Sequence, residues 1–167
     1  MRKLIAILSV IGILSACISE DKTGADVQVG DSLPEFEVVM ENGSVVTGSS
    51  LKGNVSVLMF FHPSCPDCQQ ALPRVQSIYD EYAQKDVIFT LISRDCGNDE
   101  IRAYWDKNGL YLPYSAQRDR KVYNLFASSR IPRIYISDEN GTVRYIFTDD
   151  PVATVEDLRS SLDILIR

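Results

Sequence analysis

The sequence predicts an α/β fold in which a mixed central sheet carries helices on both faces and is preceded by an N-terminal β-hairpin. Three observations support this prediction. Val55–Phe61 is an apolar run interrupted only by Ser56, as expected of a strand covered on both faces. Helical and extended patterns alternate after it, and Asn42-Gly43 and Asn140-Gly141 mark two hairpins. Elements in this order indicate a layered α/β domain.

The first thirty residues are predicted to export and tether the domain. Residues 1–16 combine a basic start with an apolar run too short to span a bilayer, which is typical of a signal peptide. Leu14–Cys17 is similar to a bacterial lipobox, which implies that Cys17 is acylated and begins the mature protein. Residues 17–30 are predicted as a flexible tether and residues 31–167 as one domain. The alternative is a cytoplasmic protein in which the apolar run is a buried helix.

Charge and location follow from this reading. The formal net charge of the 167-residue chain is −6, and it becomes −8 when Arg2 and Lys3 leave with the signal. An acidic domain is not expected to bind nucleic acid, or to bind a membrane through a basic patch. Attachment by lipid predicts a place in the bacterial cell envelope. Ser19–Asp21 is similar to a surface-export signal of some Gram-negative lipoproteins, which favours the outer membrane, on its periplasmic or surface face.

The elements of the first half follow from local patterns. Leu33–Met40 and Val45-Val46 predict the strands of the N-terminal hairpin, and Ser49–Gly53 predicts one helical turn. The cysteines after the central strand are predicted to begin a helix, which Pro73 should bend. The apolar residues that recur at helical spacing in it are Ala71, Leu72, Val75, Ile78, Tyr79 and Tyr82.

The second half continues the alternation. Val87–Ile92 predicts a buried strand, parallel to the central one because a helix connects them. Asn98 is expected to cap a helix that ends at Asn108-Gly109. The remaining predicted elements are an extended segment at Leu112–Gln117, a short helix at Asp119–Ala127, strands at Arg133–Ser137 and Thr142–Thr148, and a final helix capped by Thr154.

Cys65 and Cys68 stand where the central strand gives way to the helix. A sulfur at a helix N-terminus meets unpaired backbone N–H groups that stabilise a thiolate, and the second sulfur lies one turn deeper. This arrangement predicts thiol-disulfide exchange in which Cys65 is the nucleophile and Cys68 resolves the mixed disulfide. Pro66 suits the first helical position, whereas the Asp67 carboxylate opposes the neighbouring thiolate.

His62 and Cys96 are candidate modulators. His62, three residues before Cys65, would as a cation stabilise the thiolate or carry a proton; the alternative is a solvated loop residue. Cys96 follows a strand that should end beside Cys65, so it is either a third redox sulfur or a partly buried free thiol. Zinc normally needs four protein ligands, and only His62 and Cys96 supplement the pair, so no metal is predicted.

From about Val29 to the C-terminus, the chain resembles the thioredoxin superfamily, and within it the TlpA/ResA-like thiol-disulfide oxidoreductases of the envelope. The resemblance is carried by Phe60–Cys68 with Pro73 five residues later, by Ser129–Ile136, and by Val29–Phe36. Leu110–Phe126 falls where this family has an extra strand and helix.

The resemblance implies a thioredoxin-like fold with a cis Ile131–Pro132 peptide bond that faces Cys65. Ile131 and Pro132 would bind an extended segment of the substrate. The implied activity is reduction of disulfide-containing envelope proteins, with electrons from a membrane donor and no cofactor. The alternative for Pro132 is an ordinary trans proline at a strand start.

Three positions depart from the family pattern. Members carry a buried acid at the position of Met59 or at that of Ala71, and a Trp at the position of Ser64. The missing acids leave the proton acceptor of Cys68 unidentified.

Two other functions fit parts of the sequence. A binding lipoprotein would use the pair as a permanent disulfide or as metal ligands. A peroxiredoxin-like thiol peroxidase comes from a related class, but its Pro-x-x-x-Thr-x-x-Cys pattern is absent because His62 stands three residues before Cys65.

Overall fold

The computed structural model describes residues 26–82 and 84–166. The predicted signal peptide, Cys17 and Ser19–Asp21 lie outside these residues. Among the described residues, no helix has both the length and the apolar character needed to cross a bilayer. The elements are β1 (Glu37–Val39), β2 (Val45–Thr47), β3 (Val55–Phe61), α1 (Pro66–Tyr82), β4 (Val87–Ser93), α2 (Asn98–Asn108), β5 (Tyr114–Ser115), β6 (Arg133–Ser137), β7 (Val143–Phe147) and α3 (Val155–Leu165).

Five strands form one mixed sheet in the order β5-β4-β3-β6-β7, while β1 and β2 form a separate antiparallel hairpin. β3 is parallel to β4 and antiparallel to β6, as predicted for the first pair. Phe61 lies opposite Ser93, and Phe60 lies opposite Arg133. The C-terminal ends of β3 and β4 therefore meet the N-terminal end of β6 at one end of the sheet.

One face of the sheet is covered by α-helices. Phe61 of β3 packs against Trp105 of α2 with ring centroids 5.1 Å apart, and Phe89 of β4 packs against Tyr79 of α1 at 5.2 Å. α3 packs against α1. Aromatic pairs of this kind add about 1 kcal/mol each to the stabilisation from apolar burial.

The opposite face is covered by a 3-10 turn at Tyr123–Leu125 and by the segment that leads into the hairpin. Phe60 of β3 contacts Tyr123 and Phe126, with ring centroids 5.3 Å and 5.0 Å apart. Phe36 contacts Phe126 at 5.6 Å. Every residue of β3 is buried between these two layers, so the predicted α/β class and its doubly covered central strand are confirmed.

The predicted helix at 119–127 is wrong in extent, because only the single 3-10 turn forms there and Leu125 is exposed. The physical reason lies in tertiary hydrogen bonds. The Phe126 carbonyl accepts bonds from the Val27 N–H at 2.8 Å and from the Tyr135 hydroxyl at 3.2 Å. These bonds and the complete burial of Phe126 fix the end of the segment against the sheet, so tertiary packing overrides the local helical pattern there.

The helix caps were predicted with mixed success. Thr154 caps α3 as predicted, in a capping box that it forms with Asp157. The cap at Asn98 is wrong, because Gly97 takes the N-cap position of α2 and offers no side chain. Asn98 instead accepts a hydrogen bond of 2.9 Å from the Tyr114 hydroxyl, so a tertiary bond replaces the cap.

Residues 26–31 cross the domain, and we refer to them as the strap. Val27 is buried, and the Gly30 N–H donates a bond of 2.8 Å to the Val143 carbonyl. The described part of the predicted tether therefore contacts the domain. The boundary at residue 31 stays a prediction.

Candidate active site

The cysteine pair lies at the junction of β3 and α1. α1 begins at Pro66, directly after Cys65, and Cys68 lies in its first turn. Cys65 is half-buried, whereas Cys68 is completely buried, and both are free thiols. The Cys65 sulfur is therefore accessible to a partner, whereas the Cys68 sulfur is shielded from solvent.

The loop before β6 faces Cys65. The Ile131–Pro132 peptide bond is cis, and the Cys65 thiol donates a 3.5 Å hydrogen bond to the Ile131 carbonyl. Antiparallel pairing of β3 with β6 produces this approach, because it brings the start of β6 to the end of β3. Asp150–Pro151 is a second cis bond, which the sequence analysis did not identify.

Burial raises the pKa of the Cys68 thiol well above its usual range, and the nearby Cys65 sulfur raises it further. Two groups act in the opposite direction: the backbone N–H of His62, which bonds to the sulfur, and the positive charge of Arg94. Arg94 was missed in the sequence. Its signal was its place two residues after the predicted strand Val87–Ile92, which was expected to end beside Cys65.

The two positions where the family carries an acid are apolar and buried. Met59 is on β3, and Ala71 is on α1. Ser64, at the position of the family's Trp, is exposed and bonds to the His62 ring. Asp67 is half-buried, and the Gln70 amide donates a long bond of 3.4 Å to its carboxylate.

The imidazole of His62 points along the end of the sheet toward β4. Its Nδ1 lies 2.8 Å from Ser64 Oγ and 3.2 Å from the Ser64 backbone nitrogen. Its Nε2 lies 4.0 Å from Asp95 Oδ1. Asp95 also accepts bonds from Arg94 at 3.2 Å and Arg120 at 3.0 Å. Burial alone would raise the pKa of Asp95, but the two guanidinium groups hold it below its usual range.

Cys96 is buried, and its sulfur lies beside His62 and Glu100. One donor atom from each of the three residues is within 4.8 Å of the other two. Burial, together with the Glu100 carboxylate, raises the pKa of Cys96 to about 12, so the residue is a protonated thiol at neutral pH. Cys96 therefore lies just after β4, as expected, and its sulfur is near the His62 ring. Glu100, the third residue of this cluster, was not identified from the sequence.

The strap reaches the loop that faces Cys65. Asp26 accepts bonds from the Ser128 N–H at 2.8 Å and from the Ser128 hydroxyl at 2.9 Å. Its other carboxylate oxygen accepts a 2.6 Å bond from Arg133, the residue after the cis proline. Arg133 is nearly buried and also donates to the Ser129 carbonyl. Asp26 thus holds both sides of this loop.

The layered fold, the cis proline and the half-buried Cys65 before a buried Cys68 define a thioredoxin-like thiol-disulfide oxidoreductase. The AhpC/TSA family matches residues 29–146, which is more than half of the chain, and the chain belongs to that family.

The chain is also similar to individual proteins that are named for thiol-disulfide exchange. The thiol-disulfide oxidoreductase ResA of Oceanobacillus iheyensis is 27% identical over 150 residues, which cover 87% of this chain and 78% of that protein. The thioredoxin domain of a thiol-disulfide oxidoreductase from Bacteroides vulgatus superimposes with a TM-score of 0.73 at 15% identity, covering 85% of this chain and 100% of that one. A thioredoxin-family thiol:disulfide interchange protein from Chlorobium tepidum gives 0.70 at 19% identity, with coverages of 86% and 100%.

Proposed function

We propose that the protein is a reductase of disulfides in other envelope proteins and that a lipid on Cys17 holds it at the membrane. The observation that carries the proposal is the contrast within the CPDC pair, in which Cys65 is half-buried and Cys68 is completely buried. A permanent structural disulfide has no need of one open sulfur, whereas exchange with a protein partner requires it.

The first step is attack of the Cys65 thiolate on a substrate disulfide. A sulfur–sulfur bond forms between Cys65 and one substrate cysteine, and the other substrate cysteine leaves as a thiolate. The backbone of Ile131, whose carbonyl oxygen lies 3.5 Å from Cys65 Sγ, supports this step by pairing with an extended substrate segment. A cis proline next to them supplies no N–H of its own that would compete.

The second step resolves the mixed disulfide. Cys68 loses its proton and attacks the Cys65 sulfur, which forms the Cys65–Cys68 disulfide and releases the second substrate thiolate. Two electrons have then passed from the pair to the substrate, and a membrane donor returns them. Because Met59 and Ala71 offer no carboxylate, the substrate thiolate released in the first step is the base that takes the Cys68 proton.

The location belongs to the same proposal. Its support is the apolar run of residues 1–16 before Cys17, and the ResA name of several relatives. The lipid chain would place the domain in the bacterial envelope, at the outer membrane. The acidic charge of the domain fits a protein held by its lipid and not by a basic surface.

The test is the reduction potential of the Cys65–Cys68 pair, measured by equilibration in thiol buffers and alkylation of the purified protein. We expect a value of about −270 mV, which is that of a reductant, whereas a value of about −120 mV would make the protein an oxidant. Cys96→Ser is the control and should leave the potential unchanged. A pair that stays oxidised in every buffer would contradict exchange altogether.

The same preparation tests the peroxidase alternative, which the AhpC/TSA family match makes worth measuring. The reduced protein is mixed with hydrogen peroxide and, separately, with insulin as a protein disulfide. We expect rapid electron transfer to insulin, slowed strongly in Cys65→Ser. Faster oxidation by peroxide than by insulin would favour a thiol peroxidase.

A further inference from the structure

We propose that His62, Cys96 and Glu100 form a binding site for one Zn²⁺ ion beside the redox pair. Their imidazole nitrogen, thiol sulfur and carboxylate oxygen lie within 4.8 Å of one another. The three residues come from three segments: the end of β3, the turn after β4 and the first turn of α2. The folded chain, and not sequence spacing, brings them together.

The three donors match the preferences of zinc. Zn²⁺ binds thiolate, imidazole and carboxylate together, and sites with three protein ligands keep a fourth position for water or a substrate. Hard cations such as Mg²⁺ and Ca²⁺ prefer oxygen ligands throughout, so this mixed set disfavours them. Ligands of a tetrahedral zinc ion lie about 3.6 Å apart, given the usual bond lengths. The donors must therefore close by about an ångström, which the exposed Glu100 side chain allows by rotation.

Contacts with Ser64 at Nδ1 hold the imidazole ring so that its Nε2 lies on the side of β4. His62 Nδ1 lies 2.8 Å from Ser64 Oγ, so a proton on Nδ1 can be donated to that hydroxyl, which leaves the Nε2 lone pair for a metal. Metal-bound histidines are commonly fixed in this way by a bond from the other ring nitrogen. In this structure the Ser64 N–H donates a 3.2 Å bond to Nδ1, so metal binding at Nε2 requires the imidazole proton to move to Nδ1 and the bond from the Ser64 N–H to be given up. The Asp95 carboxylate lies 4.0 Å from Nε2, but it is bonded to Arg94 and Arg120 and is therefore not counted as a ligand.

Burial and access also suit a bound ion. The Cys96 sulfur forms the closed side of the site, since the residue is 2% exposed, while Glu100 forms the solvent side and gives an entry path. Binding replaces the thiol proton of Cys96 with the metal, so a zinc–sulfur bond forms and one proton is released to the solvent. No oxidation or reduction is involved, and the site does not depend on the redox activity proposed above.

The test uses Co²⁺ as a coloured substitute for Zn²⁺ in the full chain, without an affinity tag, after reduction and removal of metal. Cys17, Cys65 and Cys68 are replaced by Ser, so that Cys96 is the only thiol and His62 the only histidine. We expect one equivalent of Co²⁺ to give a sulfur-to-metal charge-transfer band, which Zn²⁺ displaces. Adding Cys96→Ser should abolish the band.

Matched variants separate the site from general surface binding. Glu100→Gln and His62→Asn should each weaken Zn²⁺ binding at least about tenfold. Asp99→Asn, which removes an exposed carboxylate from the same turn of α2, should leave it unchanged. Equal effects of the Glu100 and Asp99 variants, or a spectrum without the thiolate band, would overturn the proposal.

A second preparation guards against loss of folding in the triple variant. In the wild-type chain with the Cys65–Cys68 disulfide formed, neither sulfur of the pair is a thiolate, and Cys96 remains available. This oxidised protein should still bind one Zn²⁺. Binding that disappears on oxidation while it survives Cys96→Ser would mean that the pair itself holds the metal.

Discussion

Cys68 is the residue whose surroundings govern the second exchange step. Its burial raises its pKa, and the buried Met59 and Ala71 supply no acid to accept its proton. The remaining aid is electrostatic, since the His62 N–H and the Arg94 charge both favour the thiolate. A guanidinium group at the end of β4 therefore compensates in part for the missing carboxylates.

We expect Arg94→Gln to slow the resolution of the mixed disulfide by roughly threefold to tenfold at neutral pH, because each unit of pKa is a factor of ten in thiolate population. The measurement is a rapid-quench experiment that follows the mixed disulfide between Cys65 and a peptide disulfide. Formation of this species should change less than its decay.

Arg120→Gln is the matched control, since Arg120 bonds to the same Asp95 carboxylate from a more exposed position. Its effect on the decay should be small. Equal slowing in the two variants would mean that Arg94 acts by positioning Asp95 and not through its charge on Cys68.

At the scale of the element, β4 carries a buried side-chain hydroxyl, that of Thr90, which forms no hydrogen bond with the described residues. Thr90→Val keeps the shape and removes the unsatisfied group, so we expect the free energy of unfolding to rise by about 1 kcal/mol. Urea denaturation followed by the fluorescence of Trp105 would measure it.

The contrasting variant is Ser56→Ala on β3. The Ser56 hydroxyl is also buried, but it forms a 2.6 Å bond with the Ser137 hydroxyl. Its removal leaves Ser137 unpaired and should lower the free energy of unfolding. If Thr90→Val destabilises the protein as Ser56→Ala does, then Thr90 has a partner, such as a buried water, that is essential.

The strands and long helices could be predicted because their signals are local. An apolar run such as Val55–Phe61, in which only Ser56 is polar, indicates burial on both faces, and Thr154 with Asp157 forms a cap within a single turn. Asn98 failed as a cap because Tyr114, a distant residue, offered its side chain a bond. Short-range preference was overruled there by tertiary contact.

The candidate site divides along the same line. Cys65 and Cys68 are recognisable from the sequence because they are only three positions apart. This spacing places one sulfur just before a helix and the other in its first turn. Arg94 and Glu100 were not recognisable, because only the pairing of β4 beside β3 and the start of α2 bring them to the cysteines. The one available signal for Arg94 was its position two residues after the predicted parallel strand Val87–Ile92, which places it at the sheet end near Cys65 but does not show which group it contacts.

At the scale of the whole molecule, the strap joins the N-terminal segment to the loop that faces Cys65. Burial would raise the pKa of Asp26, but the bonds from Ser128 and the charge and bond of Arg133 outweigh it and lower the pKa below its usual range. A carboxyl whose pKa falls on folding stabilises the folded state above its ordinary pKa, and this contribution is lost as pH falls through the folded value.

We therefore expect Asp26→Asn to lower the free energy of unfolding by about 1–2 kcal/mol at pH 7. As pH falls below the ordinary aspartate pKa of about 4, the carboxyl protonates first in the unfolded state, and the folded carboxyl follows at lower pH, so the difference between the two proteins should shrink there. Urea unfolding at several pH values measures it, with Asp99→Asn as an exposed control. A difference that stays constant down to pH 3 would show that the carboxylate charge is not the stabilising feature.

The strap also determines which side of the domain lies nearest to the proposed lipid on Cys17. In the proposed lipoprotein, nine residues (17–25) separate the lipid from Asp26, and a chain of that length reaches at most about 32 Å. Asp26 is hydrogen-bonded to Ser128 and Arg133 on either side of the cis-proline loop. The segment that leads to the lipid therefore ends on the side of the domain that carries Cys65. Disulfides close to the bilayer would then meet Cys65 at a high effective concentration, while those far from it would be out of range.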